Sequence, residues 1–424
     1  MTYGEAVNRI LALRGGEIAG MRAGLERIEA LLAAIGHPER QFRIAQVGGT
    51  NGKGSVSAML AAILRAAGHR VGLYTSPHLC DFRERIRVDG RPISEADVVD
   101  GVEAIGTLVA RLDATMFEAA TALGLDHFAR EGVDIAVLEV GLGGRLDATT
   151  VGEPAAEVLS RIDYDHQASL GDTLTQIATE KAAIIRAGVA FAARQEPEAE
   201  KVLLRRAGEV GVPLAFEGRE LHVTPIASTL DGQRMDLAGP GWRLSDVRCR
   251  LLGVFQPANA LLAVTAARHF GASEEAIRSG LASVEWPGRF QILRRDPTVV
   301  VDGAHNPGGA RALAASLRRY FPGQDLTLVL GISADKDQAG ILAALAPLAS
   351  RLVLTAYRSP RAARPEALKA LAPPTNGRVD TAASLEDALA LAMTEPRTPV
   401  VCIAGSLYLV GEALAARRWE APSI

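Results

Sequence analysis

Strand-length apolar segments alternate with helix-length segments over most of this chain of 424 residues. The segments QFRIAQVGG, RVGLYT (70–75), VDIAVLEV (133–140) and AAEVLSRI (155–162) are almost continuously apolar, which is typical of strands buried on both faces. Helical patterns separate them, and parallel strands require such crossover segments. The alternation therefore predicts an α/β fold in which helices cover both faces of a parallel sheet.

The chain is long enough for two domains, and its pattern changes twice along the sequence. Residues 213–253 contain short alternating runs that predict antiparallel strands packed beside the main sheet. The segment WPGRF (286–290) is a Pro/Gly break, after which strands and helices alternate again. We therefore expect an N-terminal domain over 1–295, which includes a small antiparallel sheet, and a smaller Rossmann-like α/β domain over 296–424.

Composition and charge exclude several classes of partner. The net charge is −3 with both signs interspersed, without the Lys/Arg runs typical of nucleic-acid binding. No apolar run is long enough to span a bilayer, and the first residues lack the apolar segment of a signal peptide. The three cysteines share no CxxC spacing, which is typical of reduced thiols. We therefore expect a cytoplasmic protein that binds small molecules, with neither nucleic acid nor membrane as a partner.

A glycine-rich loop between the first strand and the next helix has the composition of a phosphate-binding site. Residues 46–56 read QVGGTNGKGSV, close to the P-loop pattern G-x-x-x-x-G-K-[ST], but Gly54 separates Lys53 from Ser55. Glycines let backbone N–H groups approach phosphate oxygens, and a helix N-terminus favours an anion. We expect Lys53 to reach the terminal phosphates and Ser55 to bind Mg²⁺. The alternative is a glycine-rich turn without a ligand, but the strand–loop–helix context with Lys and Ser favours phosphate binding.

Glu139 is a carboxylate inside an apolar strand, which is costly unless the carboxylate is paired or binds a metal. Ligands of open parallel sheets bind beyond the carboxyl ends of the strands, where Glu139 stands. We expect Glu139 and Ser55 to share one Mg²⁺, and the alternative is an ion pair with Arg145. The next segment, GLGGRLDATT (141–150), is not a dinucleotide-binding loop, because Leu146 replaces a required glycine and no helix is predicted to begin there.

Two further polar residues, His166 and Lys181, follow in the next part of the chain. His166 lies in DYDH, after the fourth apolar strand, and Lys181 lies in a mostly apolar helix. By pattern alone, the first is typical of a structural histidine and the second of a solvated helix lysine.

The segment DGAHNPGG (302–309) follows the strand TVVV of the second domain. Asn306 is the expected N-cap of the next helix and Pro307 its first residue. One interpretation is a capped turn without a ligand. The other is a polar site, formed by Asp302 and His305, that faces the first domain across a cleft.

Short motifs occur in a fixed order over nearly the whole chain. They are GTNGKGS (49–55), TSPHL (75–79) with ERI (84–86), LEVGLGGRLDAT (138–149), DH (165–166) with EKA (180–182), GVFQPANA (253–260), PGRF (287–290), DGAHNP (302–307), GISADKD (331–337) and GSLYLVG (405–411). This ordered set closely resembles the folylpolyglutamate synthase/dihydrofolate synthase family, which belongs to the ATP-dependent Mur ligase superfamily.

The resemblance implies a complete set of site residues. The ATP phosphates would be bound by Gly49, Thr50, Asn51, Gly52, Lys53, Gly54 and Ser55, the adenine side by Asn259, and the nucleotide further by Arg289, Asp302 and His305. Two Mg²⁺ ions would be held by Ser55, Glu139, His166 and Lys181, with Lys181 carbamylated by CO₂; a monovalent cation would be an additional cofactor. The glutamate or folate tail would contact Ser76, Arg85 and Ser406, and the pterin would contact Phe117, Asp147 and Ala148. The catalytic residues would be Lys53, Lys181 and His305, the last as the base for the glutamate amine.

The same resemblance implies the activity of an ATP-dependent acid–amino-acid ligase acting as a monomer. It would add L-glutamate to dihydropteroate and to tetrahydrofolate polyglutamates through an acyl phosphate. Alternatives are a folylpolyglutamate synthase without the first activity, another Mur-type ligase, or a nucleotide-dependent switch. Two positions depart from the family pattern: Gly48 stands where Thr or Ala is usual, and Thr150 where Asn is usual. The second departure leaves the preferred acceptor open.

Overall fold

The computed structural model describes residues 1–16, 22–375, 377–394 and 398–416. Its α-helices are α1 (Tyr3–Leu11), α2 (Glu26–Ala34), α3 (Lys53–Ala66), α4 (Glu95–Leu112), α5 (Met116–Arg130), α6 (Gln167–Leu170), α7 (Leu174–Ala182), α8 (Pro197–Val210), α9 (Gln256–His269), α10 (Glu274–Ser283), α11 (Pro307–Tyr320), α12 (Gln338–Leu345), α13 (Pro365–Leu371), α14 (Leu385–Ala392) and α15 (Leu407–Ala415).

The strands form three sheets. They are β1 (Arg43–Gly48), β2 (Val71–Tyr74), β3 (Ile86–Val88), β4 (Arg91–Pro92), β5 (Ile135–Glu139), β6 (Pro154–Leu159), β7 (Val189–Ala192), β8 (Leu214–Phe216), β9 (His222–Thr229), β10 (Gly232–Gly239), β11 (Trp242–Cys249), β12 (Gln291–Arg295), β13 (Thr298–Asp302), β14 (Leu326–Leu330), β15 (Arg351–Thr355), β16 (Arg378–Ala382) and β17 (Val400–Ala404). The sheet orders are β4-β3-β2-β5-β1-β6-β7-β8, β11-β10-β9 and β12-β13-β17-β14-β15-β16.

The chain forms two compact units. Unit 1 comprises Met1–Thr224, Met235–Arg248 and Ala258–Val284, and unit 2 comprises Pro225–Arg234, Cys249–Pro257 and Glu285–Ile424. The first sheet belongs to unit 1 and the sheet from β12 to β17 to unit 2. The predicted α/β fold with two domains is confirmed in its architecture.

The central strands of unit 1 place their carboxyl ends side by side. β1 pairs in parallel with β5 on one side and with β6 on the other, so that Val47 is opposite Glu139, and Gly48 is opposite Leu159. β2 is parallel to β5, whereas β3 returns antiparallel to β2. Chain segments that leave β1, β2, β5 and β6 therefore start from one edge of the sheet.

Helices of unit 1 pack their apolar faces against the apolar side chains that the strands project to both faces of the sheet. Tyr74 and Leu138 pack in one core with Val102 of α4 and Leu123 of α5. A second core joins Leu159 of β6 to helices α6, α7 and α8. Local sequence starts these helices: at α7, Oγ1 of Thr173 accepts from the N–H of Gln176 at 3.2 Å, while Oε1 of Gln176 accepts from the N–H of Thr173 at 3.0 Å.

Unit 2 has a mixed sheet. β13, β17, β14, β15 and β16 are mutually parallel, and β12 is antiparallel to β13. α11 begins as the sequence predicts, because Asn306 accepts from the N–H of Gly309 at 2.8 Å and Pro307 occupies the first turn.

Some elements differ from the sequence-based expectation. The antiparallel layer was expected from residue 213, but Leu214–Phe216 is a parallel strand beside β7, and the antiparallel strands begin at His222. Three residues are too few to show a period, which explains the error. β3, β4, β12, β16, α6 and α8 were not predicted. Within the described ranges, no α-helix combines the length and the apolar character that a bilayer-spanning segment requires.

Candidate functional site

The loop between β1 and α3 adopts a conformation that requires glycine at two positions. Gly49 has φ of 121° and Gly52 has φ of 99°. A Cβ atom on Gly49 would lie 2.1 Å from Oγ of Ser160, and one on Gly52 would lie 2.5 Å from Oδ1 of Asn259. We call residues Gly49–Ser55 the phosphate loop. Gly52 is the N-cap of α3, and it provides no side-chain hydrogen bond to the N–H groups of the first turn. Such helix N-termini are suited to anions.

Backbone hydrogen bonds fix the phosphate loop to the segment that follows β6. The N–H groups of Thr50 and Asn51 donate to the carbonyl oxygen of Arg161 at 3.0 and 3.2 Å. Oγ1 of Thr50 also contacts the backbone of Asp163, at 3.1 Å. Nζ of Lys53 donates to the carbonyl oxygen of Thr50 at 3.2 Å, so this ammonium group lies over the loop itself.

Ser55 and Glu139 are two oxygen donors at this edge of the sheet. Ser55 is in the first turn of α3 and is 1% exposed, and Glu139 is the last residue of β5 and is 5% exposed. Oε2 of Glu139 accepts from the N–H of Ser76 at 3.2 Å. The alternative partner, Arg145, instead lies against Glu180, with Nε 3.0 Å from Oε1. A hydroxyl and a buried carboxylate fit the preference of Mg²⁺ for oxygen ligands.

Lys181 is buried against the phosphate loop. It is 4% exposed, and its Nζ donates to the carbonyl oxygen of Gly49 at 2.8 Å. The pattern-based expectation of a solvated lysine is therefore wrong. The sequence could not show this contact, because it joins residues 132 positions apart.

His166 follows β6 and has a left-handed backbone, with φ of 52°, at the N-cap of α6. Its side chain is 33% exposed, and Nε2 lies 3.8 Å from Oδ1 of Asp165. Within the described ranges, no three His, Cys, Asp or Glu side chains form a cluster suited to a metal. The ligands of a metal here would therefore have to include a group of another kind, such as the hydroxyl of Ser55.

The segment after β2 carries Ser76 and Arg85. Ser76 contacts Glu139 through its backbone N–H. Arg85 is 1% exposed, its Nε donates to Nδ1 of His78 at 2.8 Å, and its guanidinium carbon lies 5.9 Å from the centre of the Phe82 ring. Since β2 and β5 end at the same edge, these residues are placed close to the carboxylate of Glu139.

The segment Gly141–Thr150, which we call the β5 loop, is organised around the side chain of Asp147. This carboxylate accepts from the N–H of Leu142 at 2.8 Å, and from the N–H and Oγ1 of Thr149 at 3.0 and 2.6 Å. Burial raises the pKa of Asp147, although these hydrogen bonds oppose the shift. No helix begins in this loop, as predicted.

Phe117 of α5 lies over the start of the β5 loop. A Cβ atom on Gly141 would lie 2.6 Å from Cζ of Phe117, and the Phe117 ring is 6.1 Å from that of Tyr74, edge to face. Ala148 of the same loop is 5% exposed. Phe117, Asp147 and Ala148 thus belong to one aromatic and polar region of unit 1.

Unit 2 has its own cluster of predicted residues around Asp302. The carboxylate of Asp302 accepts from the N–H of Phe290 at 2.8 Å and from the N–H of Ala304 at 2.9 Å. Burial raises the pKa of Asp302, while the guanidinium of Arg289 opposes the shift. Nδ1 of His305 lies 2.8 Å from the carbonyl oxygen of Gly303. Since a carbonyl oxygen only accepts, Nδ1 of His305 carries the proton in this hydrogen bond, and Nε2 is the other ring nitrogen.

Ser406, also in unit 2, is the N-cap of α15. It is 2% exposed, and its Oγ accepts from the N–H of Tyr408 at 3.2 Å. Its hydroxyl therefore has a structural role in the helix start, to which a ligand contact would be an addition.

A buried polar group was missed by the sequence analysis. Gln46, in the middle of β1, is fully buried and contacts Thr149, Thr150 and Arg186 by hydrogen bonds. The signal was present as a glutamine in an apolar strand, the same signal that singled out Glu139.

Both parts of the chain match Mur ligase family models. Residues 47–267 match the Mur ligase middle domain, and residues 288–407 match the Mur ligase glutamate ligase domain. A Haloferax volcanii protein described as a probable bifunctional folylpolyglutamate synthase/dihydropteroate synthase is 40% identical over 97% of this chain. The chain spans 50% of the length of that relative.

Mycobacterial proteins match over more of their length. The dihydrofolate synthase/folylpolyglutamate synthase of Mycobacterium tuberculosis is 40% identical, over 87% of this chain and 82% of that protein. The solved structure of Mycobacterium tuberculosis folylpolyglutamate synthase complexed with ADP has a TM-score of 0.91 and 36% identity, and covers 99% of both chains. These similarities extend over both units.

Proposed function

The chain belongs to the folylpolyglutamate synthase/dihydrofolate synthase family of Mur ligases, and we propose that it adds L-glutamate to dihydropteroate and to tetrahydrofolate polyglutamates with ATP. The observation that carries this proposal is the convergence at one sheet edge of the phosphate loop, the buried Glu139 and the buried Lys181. A glycine-rich turn without a ligand would not need a buried lysine and a buried carboxylate beside it.

Ligation needs an activated carboxylate, since joining a carboxylate to an amine in water is unfavourable. A carboxylate oxygen of the acceptor attacks the γ-phosphorus of ATP, and ADP leaves. The glutamate amine then attacks the acyl carbon, phosphate leaves, and the amine nitrogen loses a proton. Lys53 and the N-terminus of α3 offset the repulsion between the two anions in the first step.

Each remaining residue of the predicted set has a role in this scheme. The family resemblance assigns Asn259 to the adenine side, and in the structure this residue adjoins Gly52 of the phosphate loop. Arg289 and Asp302 are assigned to the nucleotide, and Nε2 of His305 to the proton of the glutamate amine. The acceptor is assigned to the regions of Ser76 and Arg85, of Phe117, Asp147 and Ala148, and of Ser406.

The donor set fits one Mg²⁺ directly and a second only after a modification. Ser55 and Glu139 supply oxygens for the first. An ammonium group at Lys181 would repel a second cation, whereas a carbamate would supply oxygens beside Glu139 and His166. Bound Mg²⁺ would neutralise charge on the phosphates, and a monovalent cation would add to this.

We also propose a monomer in the cytoplasm. One chain supplies every predicted site residue, and Cys80, Cys249 and Cys402 form no disulfide bond. Gel filtration with light scattering would measure the mass directly.

The test is phosphate release from ATP and Mg²⁺, measured with and without L-glutamate, with dihydropteroate or tetrahydrofolate as acceptor. Glutamate-dependent release with both acceptors is expected. Release with tetrahydrofolate alone would restrict the function to polyglutamate extension. This is the second candidate function, and the presence of Thr150 where the family usually has Asn favours it. Release without glutamate dependence would contradict the ligase proposal.

A further inference from the structure

Gln46 connects the interior of β1 to the β5 loop. Its Nε2 donates to Oγ1 of Thr150 at 2.8 Å and to Oγ1 of Thr149 at 3.3 Å. Both threonines belong to the segment whose Asp147 and Ala148 we assign to the pterin. A residue outside that segment therefore holds two of its side chains.

The direction of every hydrogen bond in this network is determined. Oγ1 of Thr149 donates its proton to Oδ1 of Asp147 at 2.6 Å, and Oγ1 of Thr150 donates to the carbonyl oxygen of Gly144 at 2.7 Å. Because each hydroxyl already donates its proton, it can only accept in its hydrogen bond with Gln46. On its other side, Nη2 of Arg186 donates to Oε1 of Gln46 at 3.0 Å, and a guanidinium can only donate. Position 46 thus needs a donor toward the loop and an acceptor toward Arg186, which an amide supplies.

Arg186 makes further hydrogen bonds, to Gly152 and to Glu157. Its Nη1 donates to the carbonyl oxygen of Gly152 at 2.7 Å, just after the β5 loop. The backbone N–H of Arg186 donates to Oε1 of Glu157 at 3.0 Å. Glu157 is opposite Gln46 in the pairing of β1 with β6. Gln46 and Glu157 are fully buried, so their side chains depend on partners within the protein.

We propose that Gln46 is a positioning residue that holds the β5 loop in the conformation that accepts the pterin of the acceptor substrate. This inference rests on the proposed function and adds a residue to it. Thr150 supplies a hydroxyl to the loop, and Gln46 supplies the amide that donates to it.

The experiment compares Gln46→Glu and Gln46→Leu with the wild type, with Lys201→Ala, on the exposed face of α8, as the control. Gln46→Glu keeps an acceptor for Arg186 but removes the donor to the threonines, and Gln46→Leu removes both. The readouts are the KM for dihydropteroate, the KM for ATP, kcat and the thermal unfolding midpoint.

We expect both Gln46 variants to raise the KM for dihydropteroate about tenfold, with the KM for ATP within about twofold of the wild type. Lys201→Ala should retain the wild-type KM for dihydropteroate. A role in stability alone would lower the unfolding midpoint and the active fraction but leave this KM unchanged, which would overturn the proposal. Equal increases in the KM for both substrates would overturn it as well.

A second variant covers the case in which the Gln46 variants do not fold. Thr150→Val removes the hydroxyl at nearly constant volume and should show the same selective rise in KM, and an unchanged KM would then contradict the proposal. The wild-type assay separates the two levels of the argument. If the wild type ligates no glutamate to dihydropteroate, the proposed function fails; if it does and the variants match it, the inference about Gln46 fails.

Discussion

Two glycine-rich loops leave neighbouring parallel strands of the same sheet, and they are stabilised in different ways. The phosphate loop follows β1 and is fixed by backbone N–H groups that donate to Arg161. The β5 loop follows β5 and is fixed by side chains, chiefly the carboxylate of Asp147 and the hydroxyls of Thr149 and Thr150. The first leads directly into α3, and the second leads to β6 without a helix.

This difference shows that glycine content alone does not determine what a loop binds. At the phosphate loop, glycine permits the positive φ of Gly49 and leaves a helix N-terminus for an anion. In the β5 loop, most polar groups are used within the loop, so its shape depends on side-chain chemistry. We therefore expect substitutions in the first loop to affect the nucleotide, and substitutions around the second to affect the acceptor.

The largest effect is expected from the charged groups beside the phosphate loop. Lys53→Ala or Glu139→Ala should lower ligation by at least about a thousandfold, since each removes a group that acts on the phosphates or their metal. The unfolding midpoint should change little. Lys201→Ala, on the exposed face of α8, is the matched control. Normal turnover in either site variant would show that the loop does not serve the reaction.

A smaller but still large effect is expected from Gly49→Ala. Alanine would need φ near 121°, and its Cβ would lie 2.1 Å from Oγ and 2.8 Å from the carbonyl oxygen of Ser160. The loop must shift, and we expect about a hundredfold loss of kcat/KM for ATP. Gly132→Ala is the control, because Gly132 also has a positive φ, but no atom lies within 4 Å of its added Cβ. Equal effects of the two substitutions would show that backbone strain, rather than the fit of the loop, determines activity.

The two loops also differ in how well the sequence predicted them. The phosphate loop lies between a strand and a helix that are adjacent in sequence, so its local pattern was sufficient to predict its conformation. The contacts of Lys181 with Gly49, and of Gln46 with Thr150, join distant segments, and no local pattern reports them. The parallel sheet was predictable from continuous apolar runs, whereas β8 is too short to be distinguished from the antiparallel strands after it. The predicted domain boundary near 295 and the individual ligand contacts stay predictions.

Protonation of Glu157, whose Oε1 accepts from the backbone N–H of Arg186, is expected to affect the free energy of unfolding. Burial raises the pKa of Glu157 from 4.5 to about 7, so the folded state retains a proton that the unfolded state releases. Its contribution to stability is therefore greatest below pH 4.5 and is lost as the pH rises through about 7.

Glu157→Gln removes this titration. Relative to the wild type, we expect the variant to gain about 2 kcal/mol in the free energy of unfolding between pH 5 and pH 8, at about 1.4 kcal/mol for each unit of pKa shift. Urea unfolding of both proteins at the two pH values measures it. Parallel pH profiles would show that the pKa of Glu157 is not raised in the folded protein.

The smallest effect is expected at Gly48, and Gly144 of the β5 loop is its counterpart, because both glycines face Ile184. A Cβ on Gly48 would lie 2.7 Å from Cδ1 of Ile184, with its next neighbours at 3.8 Å, so rotation of one flexible side chain makes room. A Cβ on Gly144 would lie 2.7 Å from the same isoleucine, but also 2.9 and 3.1 Å from the carbonyl oxygens of Glu180 and Lys181, which cannot rotate away. Gly48→Ala should therefore keep turnover within about threefold of the wild type, while Gly144→Ala should raise the KM of the acceptor severalfold, since overpacking against fixed atoms costs about 1–3 kcal/mol. Steady-state kinetics of both variants test this expectation. A larger loss of activity in Gly48→Ala than in Gly144→Ala would show that the backbone of α7 does not constrain the β5 loop. It would also show that the chain is packed more tightly where it enters the phosphate loop.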